Sequence, residues 1–328
     1  MAHDKELIAF IKEIRRVSKI SQEALARKLD VSYSTVNRWE KGRCTPHKAM
    51  IKKLAMLARQ AGIQESVYTV SSIGTLGREW TFPTMEGQCN ITLVEISNIV
   101  LEPTVFAEFL LTNLSLRESD KHGLVLDMGT GSGVVAIALA KMGCQRIHAV
   151  DLSEPAIKAC ERNCYANEVE NKVTIIKSDL ADNLRDKYDL VVANPPTLPQ
   201  GFKNKNIESI DLAFFSGSQG REFFARLVGQ LPTILKPSGR LVLVHPSYLD
   251  RSCLEEMLEH MGVQIKVIAF RPVQLKAFER VLGKYRYDST KIITNMVQAY
   301  SGDQKNLIWK EGGRWIFGLE VIEAIKAV

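Results

Sequence analysis

Long apolar runs are missing from this sequence of 328 residues. No stretch approaches the roughly 18 consecutive apolar residues that a membrane-spanning helix needs. Charges are scattered through the only apolar stretch of residues 1–16, whereas a secretion signal has an uninterrupted apolar centre. We therefore expect neither a transmembrane segment nor a secretion signal.

Cysteine is also scarce. The six cysteines are spread along the chain without a single Cys-x-x-Cys pair, a pattern unlike that of disulfide-rich small domains or zinc ribbons. We expect reduced thiols, a cytoplasmic protein and no metal site. The remaining composition, with 45% hydrophobic and 24% charged residues, is ordinary for a folded globular protein. At roughly 100–200 residues per domain, the length predicts two domains, or one large domain with an appendage.

The excess of positive charge is confined to the first fifth of the chain. Residues 1–66 hold 14 Lys and Arg against 7 Asp and Glu, a net charge of +7. The remaining residues hold 29 against 30, a net charge of −1, which gives +6 for the whole chain. A polyanionic partner such as nucleic acid is therefore expected at the basic segment.

The basic segment has the pattern of several short helices between residues 5 and 59. Ser21 and Ser32 are suited to N-caps, because a serine hydroxyl accepts a hydrogen bond from a free backbone N–H of the first helical turn. Asp30 tolerates the left-handed conformation of a tight turn, and Gly42 suits the end of the second helix. Two helices joined by a short turn are typical of a helix-turn-helix.

The stretch ISQEALARKLDVSYSTVNRWEKGRCTP resembles the Cro and lambda-repressor-like helix-turn-helix family, over about residues 5–60. The resemblance implies a DNA-binding domain at residues 1–62, whose second helix enters the major groove and which acts as two copies on one site. The residues expected near base edges are Tyr33, Ser34, Thr35, Asn37 and Arg38, and those expected near phosphates are Gln22, Lys41 and Arg43. The alternative is a domain that serves only for protein interaction or dimerisation.

After the basic segment, the pattern changes to strands and then to alternating strands and helices. Residues 67–98 predict two or three antiparallel strands, because short alternating runs are separated by glycines. Further along the chain, the predicted apolar strands are 124–127, 146–151, 173–176, 190–193 and 241–244. Helices between such strands predict right-handed βαβ units and a parallel sheet covered on both faces. The predicted fold class is α/β and Rossmann-like, with a small all-α domain at the N-terminus.

A glycine-rich loop, DMGTGSG, joins the first of these strands to a helix. Glycines at this position let the backbone and the helix N-terminus approach a ligand. Asp151 ends the next strand, twenty residues after Gly131, where a carboxylate can hold two ribose hydroxyls. Asp179 ends the third strand and is expected to meet an adenine amino group or, alternatively, to cap a helix. The GxGxG spacing and Asp127 before the loop favour S-adenosylmethionine over a dinucleotide.

The tripeptide Asn194-Pro195-Pro196 follows the fourth strand. Proline has no backbone N–H and cannot continue a sheet ladder, so carbonyl groups of this turn can point into a cleft. The Asn194 amide oxygen and the Pro195 carbonyl can then accept both hydrogens of a planar NH2 group. Such acceptors favour attack of the nitrogen on a sulfonium methyl group without a strong base.

These motifs resemble class I S-adenosylmethionine-dependent methyltransferases, in particular the HemK-like family that methylates a glutamine amide in release factors. The resemblance covers about residues 99–271 and includes Glu102-Pro103-Thr104. N6-adenine DNA methyltransferases share the fold and a related motif. The resemblance implies S-adenosylmethionine as the cofactor, bound by Asp127, Gly129, Thr130, Gly131, Gly133, Asp151, Leu152, Asp179, Leu180 and Asn194. The residues that it places at the reaction are Asn194, Pro195, Pro196 and Thr197.

Thr197 departs from this family, in which Tyr, Phe or Trp follows the second proline and stacks on the planar acceptor. A threonine cannot stack. Phe202, Phe214 and Phe215 are candidates for the missing ring, although core packing is the simpler role for all three. The departure also leaves room for a smaller or nonplanar acceptor, and His245 is the candidate general base if the acceptor is a hydroxyl.

Four segments are predicted: a helix-turn-helix domain at 1–62, a β-rich part at 67–98, a methyltransferase domain at 99–271 and an extension at 272–328 that matches no motif. The predicted function is methyl transfer to an amide or amino nitrogen by a homodimeric enzyme with a DNA-binding domain. The acceptor is a protein, a nucleic acid or a small molecule, and it is DNA if both domains act on one molecule. The alternative is a transcriptional regulator whose methyltransferase-like domain senses S-adenosylmethionine or modifies a small molecule.

Overall fold

The computed structural model describes residues 2–43, 46, 50, 53–54, 57–58, 61, 78–94, 100–202, 208–301 and 307–326. The chain divides into two compact units, residues 1–78 and 79–328. Residues 67–77, which begin the predicted β-rich segment, lie outside the described ranges.

The first unit begins with three helices, α1 (Ala2–Ser18), α2 (Gln22–Leu29) and α3 (Tyr33–Glu40). Both predicted N-caps are confirmed. Ser21 Oγ accepts from the Ala24 N–H at 3.1 Å, and Ser32 Oγ accepts from the Thr35 N–H at 3.2 Å. Asp30 adopts the left-handed conformation, with φ 59°, and so turns the chain from α2 into α3. The helix-turn-helix geometry that the sequence predicts is therefore present.

Apolar side chains from all three helices fill the interior of this unit. Ile11 and Ile14 of α1, Leu25 and Leu29 of α2, and Val36 of α3 are fully buried together. Their helical spacing places them on one face of each helix. Because α2 and α3 share this core, the opposite face of α3 is turned outward.

The second unit starts with a hairpin of two strands, β1 (Arg78–Thr84) and β2 (Gly87–Leu93). Two asparagines, Asn163 in a later helix and Asn167 just after it, attach the hairpin to the rest of the unit. Asn167 Oδ1 accepts from the Thr92 N–H at 2.9 Å, and Asn163 Oδ1 accepts from the Val94 N–H at 2.8 Å. Hydrogen bonds from hairpin backbone to these side chains therefore join the hairpin to the central sheet region.

A mixed sheet forms the centre of the second unit. Its strands are β3 (Val125–Met128), β4 (Ile147–Asp151), β5 (Val173–Lys177), β6 (Tyr188–Ala193), β7 (Leu235–Pro246), β8 (Val263–Gln274), β9 (Ile308–Glu311) and β10 (Arg314–Lys326). Strand order is β5-β4-β3-β6-β7-β10-β8, and β9 pairs with β10. The first five strands run parallel, whereas β10 is antiparallel to both neighbours.

Helices connect and cover these strands. They are α4 (Val105–Asn113), α5 (Glu118–His122), α6 (Val134–Lys141), α7 (Glu154–Ala166), α8 (Glu208–Phe214), α9 (Glu222–Ile234), α10 (Arg251–Glu259), α11 (Leu275–Lys284) and α12 (Ser289–Tyr300). None of the described helices is long and apolar enough to cross a membrane. The α/β Rossmann-like fold class predicted from the sequence is confirmed.

The strand order creates the ligand-binding edge of the sheet. From β3 the chain moves outward through β4 to β5, and it then returns to the other side of β3 with β6. Strand order therefore reverses between β3 and β6. In open α/β sheets a crevice forms at the carboxyl ends of the strands at this point, and ligands bind there.

The C-terminal segment is an integral part of the sheet. Strand β10 lies between β7 and β8, with Glu320 opposite His245 on one side and opposite Phe270 on the other. The boundary predicted at residue 271 has to be dropped, because it cuts β8 and separates the methyltransferase region from a strand within its own sheet. The extension therefore supplies a strand within the central sheet, a role that no local sequence motif predicts.

Candidate functional site

A cavity of about 290 Å³ opens at the carboxyl ends of the parallel strands. The lining residues that follow a strand are Gly129, Thr130, Gly131, Ser132, Asp151, Leu152, Ser153, Ser178, Asp179, Leu180, Asn194 and Pro196. The opposite wall comes from residues 100–104 and from the region between residues 212 and 226. Most of the predicted cofactor residues thus share one cavity with two of the four predicted catalytic residues. The predicted residues outside its lining are Asp127, Gly133, Pro195 and Thr197.

The glycine loop after β3 is shaped by two different requirements. Gly131 has φ 54°, and a Cβ added there would meet no atom within 4 Å, so its backbone borders open space where a ligand can approach. Gly133 has φ 84°, and a Cβ there would lie 2.8 Å from Cys160 Sγ. The absence of a side chain at Gly131 thus leaves room beside the loop backbone, whereas the absence of one at Gly133 lets α7 pack directly beneath the loop.

Asp127 lies under this loop and does not line the cavity. Its Oδ2 accepts hydrogen bonds from Thr130 Oγ1 at 2.6 Å and from the Ala136 N–H at 3.0 Å. Burial raises the pKa of Asp127 to about 7, although both hydrogen bonds oppose the shift. The lining of the cavity therefore does not support the prediction that Asp127 contacts the cofactor. Asp127 instead ties Thr130, which does line the cavity, to the start of α6.

Asp151 and Leu152 form one polar and one apolar surface at the end of β4. Asp151 Oδ2 accepts from the Gly131 N–H at 2.9 Å, and Oδ1 accepts from the Ser153 N–H at 2.8 Å. Burial raises the pKa of Asp151, although these backbone N–H groups oppose the shift. Leu152 remains 45% exposed while lining the cavity. A carboxylate beside an uncovered apolar side chain suits a nucleoside, whose hydroxyls and base need both.

Asp179 lies at the rim of the cavity after β5. Its carboxylate pairs with Arg226 of α9 at 2.9 Å, and both residues line the cavity. The residues after Asp179, from 180 to 183, form turns. The alternative role of a helix cap therefore has no helix to cap, and the carboxylate lies at the rim as the partner of Arg226.

The turn after β6 presents Asn194 and Pro196 to the cavity but turns Thr197 away from it. Thr197 is 3% exposed, and its hydroxyl lies 2.7 Å from the hydroxyl of Tyr248. The Thr197 N–H donates to the Phe214 carbonyl at 3.2 Å. The residue at the position of the family's stacking ring is therefore a buried hydrogen-bonding residue.

Of the three rings that the sequence offers as replacements, only Phe215 lines the cavity. Phe214 and Phe215 are both 4% exposed, but Phe214 packs against Tyr285 and Tyr287, each with a centroid distance of 5.6 Å, and Phe202 packs on another tyrosine. A second ring at the cavity, Phe223 on α9, is missing from the sequence-based set. Its apolar pattern is the same as that of a core residue, so periodicity alone gives no signal.

His245 does not line the cavity. It is 2% exposed at the end of β7, and burial lowers its pKa to about 3. A neutral, enclosed imidazole cannot reach an acceptor in the cavity. The structure therefore gives no support to His245 as a general base.

The outward side of the helix-turn-helix carries the predicted DNA-contact residues. Those that are exposed are Tyr33, Ser34, Arg38, Lys41 and Arg43, and those that are half-buried are Gln22, Thr35 and Asn37. All of them lie on α3, at the start of α2 or just after α3. The surface thus combines polar side chains on one short helix with cations at its end, a combination that suits a major groove and its phosphates.

A buried carboxylate orients two of these residues. Arg15 of α1 donates to Glu40 through Nε at 2.6 Å, and Gln22 Nε2 donates to the same carboxylate at 2.6 Å. Asn37 Nδ2 in turn donates to Gln22 Oε1 at 3.1 Å. Burial would raise the pKa of Glu40, but the hydrogen bonds from Arg15 and Gln22 outweigh it and hold the pKa below its usual value. The side chains of Gln22 and Asn37 are therefore positioned before any DNA binds.

Comparisons with known proteins agree with both units. The model of the ribosomal protein L11 methyltransferase family matches residues 108–195, and a helix-turn-helix model matches residues 11–68. A putative protein N5-glutamine methyltransferase of Methanocaldococcus jannaschii is 32% identical over 171 residues, 52% of this chain and 84% of the relative. A release factor glutamine methyltransferase of Lactococcus lactis is 31% identical over 140 residues, 40% of this chain and 51% of the relative.

A solved E. cuniculi complex, responsible for methylation of a translation termination factor, has 20% identity and a TM-score of 0.41. Its alignment covers 70% of this chain and 99% of that one. The sequence match to the M. jannaschii relative extends over most of that relative's length. This chain therefore belongs to the HemK-like family of S-adenosylmethionine-dependent methyltransferases, and it carries a helix-turn-helix domain at its N-terminus.

Proposed function

We propose that the enzyme transfers the methyl group of S-adenosylmethionine to the side-chain amide nitrogen of a glutamine in a protein. The observation that carries the proposal is that Asn194 and Pro196 line the same cavity as the glycine loop. A planar NH2 group bound at Asn194 would therefore lie in the space that the cofactor shares. The relatives named for glutamine methylation support a protein acceptor.

The residues around the cavity fit S-adenosylmethionine. Asp151 is a half-buried carboxylate that can accept hydrogen bonds from two ribose hydroxyls. The exposed side chain of Leu152 offers an apolar surface to the base, and Asp179 lies at the rim within reach of an amino group. Gly131 leaves its backbone open to the cavity. When bound there, S-adenosylmethionine supplies an electrophilic methyl group on a sulfonium sulfur.

Asn194 holds and orients the acceptor nitrogen. Its amide oxygen accepts a hydrogen bond from the acceptor NH2, which draws the nitrogen lone pair out of conjugation and exposes it. Pro195, which the sequence assigns to the second hydrogen, does not line the cavity. As the N–C bond formed, the C–S bond of the sulfonium would break, S-adenosylhomocysteine would leave, and the nitrogen would lose one proton to solvent, since His245 is neutral and enclosed. Catalysis then rests on positioning and on fixed dipoles.

The destination of the methyl group tests this proposal. The full-length protein is incubated with tritiated S-adenosylmethionine and, separately, with a purified release factor, duplex DNA and ribosomal RNA. We expect label in the release factor, recovered as N5-methylglutamine by mass spectrometry. Label in DNA as N6-methyladenine would contradict the protein acceptor. Cofactor binding without transfer to any of the three would favour the alternative, a regulator that senses S-adenosylmethionine or modifies a small molecule.

We further infer that the helix-turn-helix domain binds DNA in the cytoplasm as a homodimer. The charge of +7 on residues 1–66 and the exposed side chains of α3 support DNA binding. One short recognition helix reads few base pairs, so useful specificity needs two copies on a near-palindromic site. The five described cysteines are free thiols, which suits the reducing cytoplasm.

A salt series with the full chain distinguishes phosphate contacts from base contacts. We expect Lys41→Ala and Arg43→Ala to weaken binding to all duplexes and to flatten the dependence of log K on log salt by about one unit each. Arg38→Ala should instead reduce discrimination between sequences, by roughly 1–3 kcal/mol. The matched control is Lys158→Ala, an exposed cation of α7 in the second unit. Absence of duplex binding at low salt would make this domain a protein-interaction module.

A further inference from the structure

In the family that this chain resembles, an aromatic ring follows the second proline and stacks on the planar acceptor, whereas this chain has Thr197 there. We propose that Phe215 and Phe223 replace that ring and form the aromatic wall against which the acceptor group lies beside Asn194. The inference rests on the proposed transfer to a planar nitrogen. Phe215 and Phe223 would then select a planar acceptor, a task that Thr197 cannot perform because it has no ring.

Contacts of both its side chain and its backbone hold Thr197 away from the cavity. Its hydroxyl bonds with that of Tyr248, and both side chains are buried. Tyr248 packs between Tyr300 and Phe317, with ring centroids 5.8 and 5.4 Å away. On the backbone side, a Cβ on Gly220 would lie 2.3 Å from the Thr197 carbonyl oxygen. A ring at position 197 would have to displace this packing before it could reach an acceptor.

Phe215 reaches the cavity because its segment pairs with the residues after the prolines. The Leu198 N–H donates to the Phe214 carbonyl at 2.8 Å, and the Ser216 N–H donates to the Leu198 carbonyl at 2.9 Å. This short ladder sets Phe215 beside the proline turn, where it lines the cavity. The ring of Tyr287 meets that of Phe215 nearly edge-on at a centroid distance of 5.4 Å. The orientation of the Phe215 ring is therefore fixed by packing before a substrate arrives.

Phe223 lines the same cavity from the start of α9. Its N–H donates to Ser216 Oγ at 2.7 Å, which joins it to the segment that carries Phe215. A Cβ on Gly129 would lie 3.8 Å from the Phe223 ring, so this ring borders the glycine loop. One ring thus stands beside the proline turn and the other beside the cofactor loop. Aromatic faces suit planar groups, and an apolar wall excludes water from the reacting atoms.

The test compares Phe215→Leu and Phe223→Leu with Phe202→Leu, a matched control whose ring packs on Tyr300 and does not line the cavity. Each full-length variant is assayed with purified release factor and tritiated S-adenosylmethionine. We expect kcat/KM for the release factor to fall at least about tenfold in the first two variants, mainly through a higher KM. The Kd of S-adenosylmethionine in Phe215→Leu, and kcat/KM of the control, should stay within about twofold of the wild type.

Thermal unfolding identifies any leucine variant that fails to fold. For position 215, Phe215→Met then serves as the second variant, because methionine fills space without a ring, and Phe215→Tyr should restore most of the activity. Unchanged kcat/KM in both leucine variants would overturn the inference while leaving the proposed function intact. So would a Thr197→Tyr variant that raises kcat/KM and makes Phe215→Leu silent. If the wild type binds S-adenosylmethionine but labels no release factor, the proposed acceptor fails, and this inference fails with it.

Discussion

We expect Asn194→Ala to lower the rate of methyl transfer by roughly 100-fold or more, the scale of losing one preorganised polar group at a reacting centre. The alanine cannot accept a hydrogen bond from the acceptor NH2, so the nitrogen keeps its planar, weakly nucleophilic geometry. The affinity for S-adenosylmethionine should change little, because Asp151 and the glycine loop are untouched. Single-turnover kinetics with labelled cofactor measures the rate, and calorimetry measures the affinity.

The matched control is Asn183→Ala, an exposed asparagine that follows β5 and does not line the cavity. It should retain the full rate. Asn194→Asp keeps an acceptor oxygen and should lie between the wild type and the alanine variant. The nitrogen mechanism fails if Asn194→Ala turns over at the full rate while a folded His245→Ala variant is inactive, because that pattern indicates a hydroxyl acceptor.

Features encoded by neighbouring residues could be predicted from the sequence. Ser21 and Ser32 act as caps through backbone N–H groups only three residues away. The glycine loop and the carboxylate of Asp151 share a fixed spacing because one βαβ unit joins them, and Gly131 donates directly to Asp151. Such local arrangements depend little on the rest of the chain. They therefore predicted that the glycine loop and Asp151 lie together at one edge of the sheet.

Features that depend on distant segments could not be predicted. Thr197 turns away from the cavity because of a hydrogen bond to Tyr248, which lies 51 residues further along the chain. Strand β10 enters the sheet between β7 and β8, and nothing in its own sequence specifies these neighbours. Asp127 has the spacing of a cofactor residue, yet its burial follows from how α6 packs on the sheet. In each case the tertiary environment decides a role that the residue type leaves open.

The roles of the aromatic residues near Asn194 also depend on distant segments and could not be predicted from the sequence. Phe202, Phe214, Phe215 and Phe223 all have the sequence signature of buried apolar side chains. The structure separates them by their neighbours, since only Phe215 and Phe223 line the cavity. Local sequence thus predicts the glycine loop and Asp151 better than it predicts which rings line the cavity, because these rings come from segments that meet only in the folded chain.

Asp151→Ala should weaken S-adenosylmethionine binding by about 100-fold or more, because two hydrogen bonds to a charged acceptor are lost at roughly 1.5–3 kcal/mol each. The substitution also frees the Gly131 N–H that Asp151 holds at 2.9 Å, so the glycine loop loses its anchor at the same time. Calorimetry with S-adenosylmethionine and S-adenosylhomocysteine measures the loss. Glu170→Gln, which removes an exposed carboxylate from the turn before β5, is the matched control and should bind like the wild type.

The pH dependence of S-adenosylmethionine binding shows how much of the effect of Asp151 comes from its negative charge and how much from its shape. Burial raises the pKa of Asp151, so a falling pH protonates this carboxyl earlier than an exposed one and removes an ionised acceptor. Wild-type affinity should therefore decline as the pH falls through that raised pKa, with the full affinity present above it. Asp151→Asn still accepts from the Gly131 N–H but carries no charge, so its affinity should be lower and nearly independent of pH over the same interval. Equal affinities for the wild type and Asp151→Ala, or parallel pH profiles for the wild type and Asp151→Asn, would show that another group holds the ribose.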